Sequence, residues 1–391
     1  MKSINLDRRL ILKGMGALGA SGMLAACGGG SDSPATTTPP SSSIQYFVEP
    51  YMPVGSTEIT GVRGVNNSSD VFLSGINMDN TTSPTTNYGL IYRGPLLIPN
   101  VSSWNKIGPQ KTIAKVGGSD LSSGLNFYGP NNGATSGSIV VVGNYNLSGS
   151  NAAFGLLYQG DIAGTGTYTK IDPSRLITLP GVTLNNTIAH SNMNGYVVGN
   201  FDTSDLVGHA FIMGIGNTPD IPGTYTYFEI PPTLVTGGAA SMTAYGIWYN
   251  SALNNYTIAG GYSKLLGDHG LSNGYLVDWN PSTNQFTNFT TIYYNNDSST
   301  SKVSHIEGIT TDNAGGYYLS VDWAQTVSGS PYGAALVQVK RISTGQFDTP
   351  TWTSFAFPGA TETSANTVFE RNVLGVFTGP GPVTPYLAVF P

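Results

Sequence analysis

Apolar residues along this chain come in short runs, often closed by Gly and separated by clusters of Asn, Ser, Thr, Asp and Gly, and the runs recur in pairs. The first run of each pair reads Val71–Gly75, Ile139–Gly143, Tyr196–Gly199, Tyr256–Gly260, Tyr317–Val321 and Val373–Phe377. The second reads Tyr88–Gly94, Phe154–Gly160, His209–Gly214, Gly274–Trp279, Ala334–Val339 and Tyr386–Phe390. Runs this short, rich in β-branched and aromatic residues and bounded by turn formers, predict strands. The pairs recur about every sixty residues, the mark of a repeat architecture. A further candidate strand precedes each pair: Ile59–Val62, Leu121–Leu125, Thr187–His190, Ala244–Trp248, His305–Thr310 and Ala365–Phe369. An aromatic-rich fourth follows in five repeats: Trp104–Ile107, Tyr168–Ile171, Tyr225–Ile230, Phe286–Ile292 and Trp352–Phe357. No stretch carries the apolar spacing of an amphipathic helix.

Four short antiparallel strands in each repeat predict an all-β chain folded as a β-propeller of six four-stranded blades. The last repeat runs to Pro391 and shows no fourth strand, while one orphan strand, Ile44–Pro50, precedes the first repeat and matches the fourth strands in character. The expected ring therefore closes by the N-terminal strand (44–50) completing the last blade, which removes two open edges. No residues are found for a seventh blade.

The N-terminus adds an address. Arg8-Arg9-Leu10-Ile11-Leu12-Lys13 resembles the twin-arginine export motif, with the general secretory route as the alternative. Met15–Met23 is too short and Gly-rich to span a membrane and fits the apolar region of a signal peptide. Leu24-Ala25-Ala26-Cys27 resembles the lipobox of bacterial lipoproteins. That resemblance implies cleavage after residue 26 and lipidation of Cys27, so that acyl chains hold the protein on a membrane. Gly28 in place of Asp implies, by similarity to Gram-negative lipoproteins, the outer membrane, on its periplasmic side or at the cell surface. The expected organisation is a signal peptide over 1–26, a lipidated Cys and disordered tether over 27–43, and the propeller over 44–391. Sixteen tether residues behaving as a flexible coil span about 22 Å and do not fix the domain's orientation. Cys27 is the sole cysteine, so neither an internal disulfide nor a cysteine metal site is available.

Charge then narrows the partners. Charged residues make up only 10% of the chain, and without residues 1–26 it carries 12 basic and 21 acidic residues, a net of −9. Nucleic-acid binding needs a basic footprint, and none is present. A surface made soluble by Asn, Ser, Thr and Gly suits a neutral polar partner.

Ala189-His-Ser-Asn-Met-Asn-Gly-Tyr-Val-Val-Gly199 followed by His209-Ala-Phe211 resembles the HAF-type extracellular repeat, with weaker echoes at Tyr245-Gly-Ile247 and Val141-Val-Gly143. The resemblance implies an exported, repeat-built β-protein and no particular activity.

Candidate chemistry is sparse. The four histidines, His190, His209, His269 and His305, show no spacing of two or four residues to one another, so no His metal site is expected. In repeat alignment His190 takes the place of a Gly (Gly61, Gly124, Gly246, Gly308) in the first strand. Asp202 and Asp205 in one loop, and Asp268 in another, lack the alternate oxygen ligands of a calcium loop. No cofactor is therefore expected. Within Ser304-His305-Ile-Glu307, residues two apart on a strand share a face, which predicts His305 and Glu307 as neighbours at the channel or its mouth. Such a pair can do general acid–base work or simply line a wet channel. Asp322-Trp323, read as just following a second strand, suits a sugar, with the ring stacking and the carboxylate accepting hydroxyls; a turn Asp beside a packed ring is the alternative. There is no nucleophile elbow, no zinc-protease helix and no phosphate loop.

Two functional classes remain, with a structural envelope protein as a third. One is a non-catalytic surface module or scaffold that binds a glycan, a polymer or an envelope protein, with Asp322, Trp323 and His190 as ligand-binding candidates. The other is a lipid-anchored hydrolase or lyase acting on a carbohydrate or lactone in the channel, with His305 and Glu307 as catalytic candidates. The binding module is the reading preferred from sequence.

Overall fold

The computed structural model describes residues 43–131, 138–215, 225–266, 272–325 and 332–391. Arg8, Arg9, Leu24, Ala25, Ala26 and Cys27 lie outside the described residues, as do Asp268 and His269.

The chain is a ring of six antiparallel blades, with blades 3 and 4 bridged by one parallel pair, Gly208 and Ser241, and blade 2 closed by another, Ala114 and Thr169. Blade 1 is Ser56–Gly64, Val71–Asp79, Thr86–Gly94 and Asn105–Ile107; blade 2 is Gly118–Pro130, Ile139–Leu147, Phe154–Gly160 and Gly166–Ile171. Blade 3 is Leu184–Met193, Tyr196–Thr203, Gly208–Gly214 and Thr226–Glu229; blade 4 is Ser241–Asn250, Asn255–Ser263, Asn273–Asn280 and Gln285–Ile292. Blade 5 is Val303–Thr311, Tyr317–Ala324, Tyr332–Val339 and Thr351–Phe355. Blade 6 is Glu362–Phe369, Asn372–Thr378 and Thr384–Val389, and its fourth strand is the N-terminal Gln45–Val48, antiparallel to Thr384–Val389. The expected closure is therefore present, with Tyr46 opposite Ala388 and Phe47 opposite Leu387. Blade 2 differs from the expectation by a fifth strand, Thr112–Lys115, which pairs with the long N-terminal extension of the blade's first strand.

The first strands of successive blades neighbour one another around the ring and line its axis. Turns between first and second strands gather on one face, called here the hairpin face. Connections from a fourth strand to the next blade's first strand gather on the other, the linker face.

Each sheet is buried on both sides, because each side meets a neighbouring blade. A buried apolar cluster fills every junction, from blades 1 and 2 round to blades 6 and 1. Consecutive strand residues point oppositely, so neighbours in sequence serve different junctions: Val141 packs between blades 1 and 2, Val142 between blades 2 and 3. Val197 and Val198 divide in the same way. This is why the second strands read as continuous apolar runs rather than alternating ones. Each fully buried aliphatic side chain contributes about 1.5–3 kcal/mol.

The repeated Gly of the second strand has a specific cause. Every first strand carries a one-residue bulge, which pushes a carbonyl towards the strand beside it. A Cβ on Gly143 would stand 1.9 Å from Asn126 O, and one on Gly375 1.8 Å from Ser364 O. Glycine fills this place in five blades; blade 5, whose second strand has Val321 opposite Ile306, is the exception.

The ring closure also holds a buried acid. The N–H of Glu49 donates to Pro385 O at 2.9 Å, and its Oε2 accepts the N–H of Ile98 in blade 1 at 3.1 Å. Burial raises its carboxyl to about 7, with the Ile98 bond opposing the shift. The folded acid thus holds its proton more tightly than the unfolded one. Its stabilisation is full below the ordinary carboxyl range and is lost as pH rises through about 7. Unfolding free energy is expected to fall between pH 5 and pH 8 by up to about 3 kcal/mol from this group. Glu49→Gln should flatten that part of the slope in urea melts. An unchanged slope in the variant would remove Glu49 as its source.

Candidate functional site

The bulges define the axis chemically. One falls at the same place in every first strand: between Ile59 and Gly61, Phe127 and Gly129, Ala189 and Ser191, Ala244 and Gly246, Ile306 and Gly308, and Ala365 and Thr367; blades 2 and 3 carry a second, between Ser122 and Gly124 and between Leu184 and Asn186. The residues inserted at the shared place are Thr60, Tyr128, His190, Tyr245, Glu307 and Asn366. A bulge re-aims a side chain and is common beside functional sites.

This register corrects the sequence alignment. His190 matches the inserted residues, not the Gly; the Gly position is taken by Ser191 in blade 3 and by Gly129, not Gly124, in blade 2. The reason is the bulge itself, an extra residue that shifts any count made on strict alternation.

The inserted residues interlock. Thr60 Oγ1 donates to Phe127 O at 2.5 Å, and Asn366 Nδ2 donates to Ile59 O at 3.0 Å, joining blade 6 to blade 1 at the axis. On the other side a row of rings crosses three blade junctions. Tyr128 and His190 lie 5.2 Å apart, His190 and Tyr245 3.9 Å, and Tyr245 meets His305 edge-on at 4.5 Å. His190 Nε2 lies 2.8 Å from Asn200 Oδ1, which fits an imidazole protonated on Nε2. His305 Nε2 stands 3.3 Å from Glu307 Oε1. Although Glu307 is the bulged residue, the expected pair does meet.

The pair is sealed, however. The side chains of His305 and Glu307 are 1% and 3% exposed, His190 is also buried, and Tyr245 stands across His305. Sequence reasoning named His190, His305 and Glu307 but missed Tyr245 and Asn200. The signal that would have found Tyr245 is its place before Gly246, where Thr60, Tyr128 and Glu307 precede Gly61, Gly129 and Gly308.

Arg63, also missed, crosses the axis at the hairpin end. Its Nη1 donates to Val62 O at 3.1 Å, and its Nη2 to Ser191 Oγ in blade 3 at 2.7 Å and to Ile247 O in blade 4 at 3.4 Å. The guanidinium carbon lies 5.6 Å from the ring of half-buried Trp248. Burial lowers Arg63 to about 10, so it stays a cation at neutral pH.

Asp322 and Trp323 are part of the second strand of blade 5 rather than following it, and they diverge. Asp322 accepts the N–H of Ala365 at 2.6 Å and the hydroxyl of Ser364 at 2.7 Å, fastening blade 5 to blade 6. Trp323 turns the other way, against Tyr294 at 5.0 Å with Lys302 Nζ 4.9 Å from its ring. Strand alternation separates the two, so they do not share one sugar platform.

A cleft of about 210 Å³ opens on the linker face of blade 4, among Tyr262, Lys264, Phe289, Thr291, Tyr293 and Leu234. Tyr262 occupies the repeat position of Trp323. Its hydroxyl meets Thr291 Oγ1 at 3.1 Å, and burial raises its phenol above the ordinary range. Phe289 stacks on Tyr275 at 5.3 Å, which fixes the cleft wall. A smaller hollow of about 30 Å³ adjoins His209, whose Nδ1 meets Glu229 Oε1 at 2.7 Å. Among the described residues no group of three or more His, Cys, Asp or Glu is arranged to hold a metal ion.

No family model and no curated protein matches the chain. Solved structures do. The periplasmic gluconolactonase of Pseudomonas aeruginosa is 10% identical, with 85% of each chain covered and a TM-score of 0.45. A luciferin-regenerating enzyme is 11% identical over 88% of this chain and 95% of that one, at a TM-score of 0.42. An α-L-arabinanase of Penicillium chrysogenum, complexed with arabinobiose, is 12% identical over 88% of this chain and 98% of that one, at a TM-score of 0.36. Likeness of this degree carries no inference about ligand or reaction. By its own sheet order, the chain is a six-bladed β-propeller whose last blade is completed by its N-terminal strand.

Proposed function

We propose that this protein is an exported, lipid-anchored β-propeller acting as a non-catalytic binding module for a glycan or similar envelope polymer, taken at the aromatic cleft of blade 4. The observation that carries the reading is the contrast between two places. The one His–carboxylate pair at the axis is closed to solvent, while the cleft is open and combines aromatic rings with Lys264 and Thr291. The rings of Tyr262 and Phe289 pack inward and shape the walls, so the cleft meets a ligand mainly with polar atoms, and its hydroxyl and ammonium groups hold and orient it. The low charge of the chain fits a neutral polar ligand. The described chain enters the ring at the hairpin end of blade 6. The cleft lies on the opposite face.

A second reading, a hydrolase or lyase acting on a carbohydrate or lactone, is favoured by the convergence of His190, Tyr245, His305 and Glu307 on one axis. Incubating the intact protein with arrayed glycans and envelope polysaccharides, and reading retention and masses together, separates the two. The expected result is retention at unchanged mass, weakened about tenfold or more, about 1.4 kcal/mol, by Tyr293→Ala or Lys264→Ala. New smaller masses that disappear in His305→Ala or Glu307→Ala would establish the enzyme instead.

A further inference from the structure

Arg63 is costly where it lies. A buried guanidinium loses its hydration, and a carboxylate is the usual compensation. Among the described residues none pairs with it: its partners are two carbonyls and one hydroxyl, three bonds for five N–H groups, and Nε finds no acceptor. Glu370, in the hairpin-face turn of blade 6, is exposed, and two other acids of that face are held elsewhere. Asp70 pairs with Arg93 at 3.6 Å, and Asp312 accepts the N–H groups of Ala314 and Gly316 at 2.8 and 2.7 Å. As a plug for the axis, an apolar side chain of similar length would serve without that cost. Beside the cation stands Trp248, half-buried at the hairpin end of blade 4's first strand.

We infer that the hairpin-face mouth of the axis, formed by Arg63, Ser191 and Trp248, is a binding site for a small carboxylate carried on a sugar ring. A carboxylate that displaces the Ser191 hydroxyl from Nη2 takes two N–H groups of the guanidinium side by side, and the exposed part of the indole offers the face on which a pyranose ring lies. The ligand supplies the counter-charge that the fold leaves out. This site lies on the face opposite the blade 4 cleft and does not depend on the reading given to that cleft.

Calorimetric titration of the intact protein with glucuronate, glucose and inorganic phosphate tests the assignment. Glucuronate should bind, and glucose, which lacks the carboxylate, should bind at least tenfold more weakly. Arg63→Met should melt at or above the wild-type temperature in ligand-free buffer and lose glucuronate binding at least tenfold. Trp248→Leu should weaken glucuronate and leave any binding of acetate unchanged. If Arg63→Met does not fold, Arg63→Lys decides: it keeps the charge but not the fork, and should bind at least tenfold more weakly. Equal binding of glucuronate by wild type and the Arg63 variant, no binding by wild type, or phosphate binding as tight as glucuronate would each overturn the assignment.

Discussion

Deleting residues 44–50 is expected to abolish the cooperative melt of this propeller and leave an aggregating chain. The segment supplies the fourth strand of blade 6, pairing Gln45 through Val48 with Tyr386 through Val389. Tyr46 also packs against Phe355 and Phe357, and Phe47 packs into the core between blades 6 and 1. Both rings are half-buried, and their burial contributes about 3 kcal/mol, a sizeable share of a domain's stability. Loss of the strand leaves Thr384–Val389 with an open edge, a template for pairing with other chains. Calorimetry and light scattering check this, and a synthetic peptide of residues 43–50 added to the truncated chain should restore a single transition. A truncated chain that melts cooperatively at the wild-type temperature would mean that closure by this strand adds little.

Arg341→Ala is expected to cost about 3–5 kcal/mol, the penalty for leaving a buried charge without its partner. Asp278, 1% exposed, accepts both Arg341 Nη2 at 2.6 Å and Nη1 at 2.9 Å, with Thr257 Oγ1 and Asn288 Nδ2 each at 2.8 Å. Arg341 also reaches the Tyr317 hydroxyl at 3.2 Å, so the network fastens blade 4 to blade 5. Burial works against the cation, but the bonds and charge of Asp278, with Tyr317, hold Arg341 above its ordinary range. Asp278→Ala should cost as much as Arg341→Ala, and the double variant clearly less than the sum, as expected for residues in one network. Urea melts of the three variants test it. Additive losses would show that the two charges act independently.

Repeat period, strand pairing, blade number and ring closure were all legible in the residues. The reason is that the features carrying them are local. A second strand needs glycine where the bulged first strand presses a carbonyl upon it, so Gly75, Gly143, Gly199, Gly260 and Gly375 recur at the repeat spacing. Aromatic fourth strands and Asn- and Gly-rich turns recur with them. Strand ends were less legible: Leu121–Leu125 proves to be the middle of Gly118–Pro130.

The candidate site was legible in part. His305 and Glu307, two residues apart, were read correctly as neighbours because one strand holds both. Asp322 and Trp323 were paired by sequence, but the same alternation that joins residues two apart separates adjacent ones. Arg63 touching Ser191 and Ile247, and His190 lying between Tyr128 and Tyr245, join residues from different blades. Within one repeat the spacing of residues dictates the strands, their turns and their glycines, since those obey backbone sterics over a few residues. Which side chains meet at the axis, which are shut from water and where a cleft opens depend on six bulged strands converging around one axis, a condition that no single repeat contains.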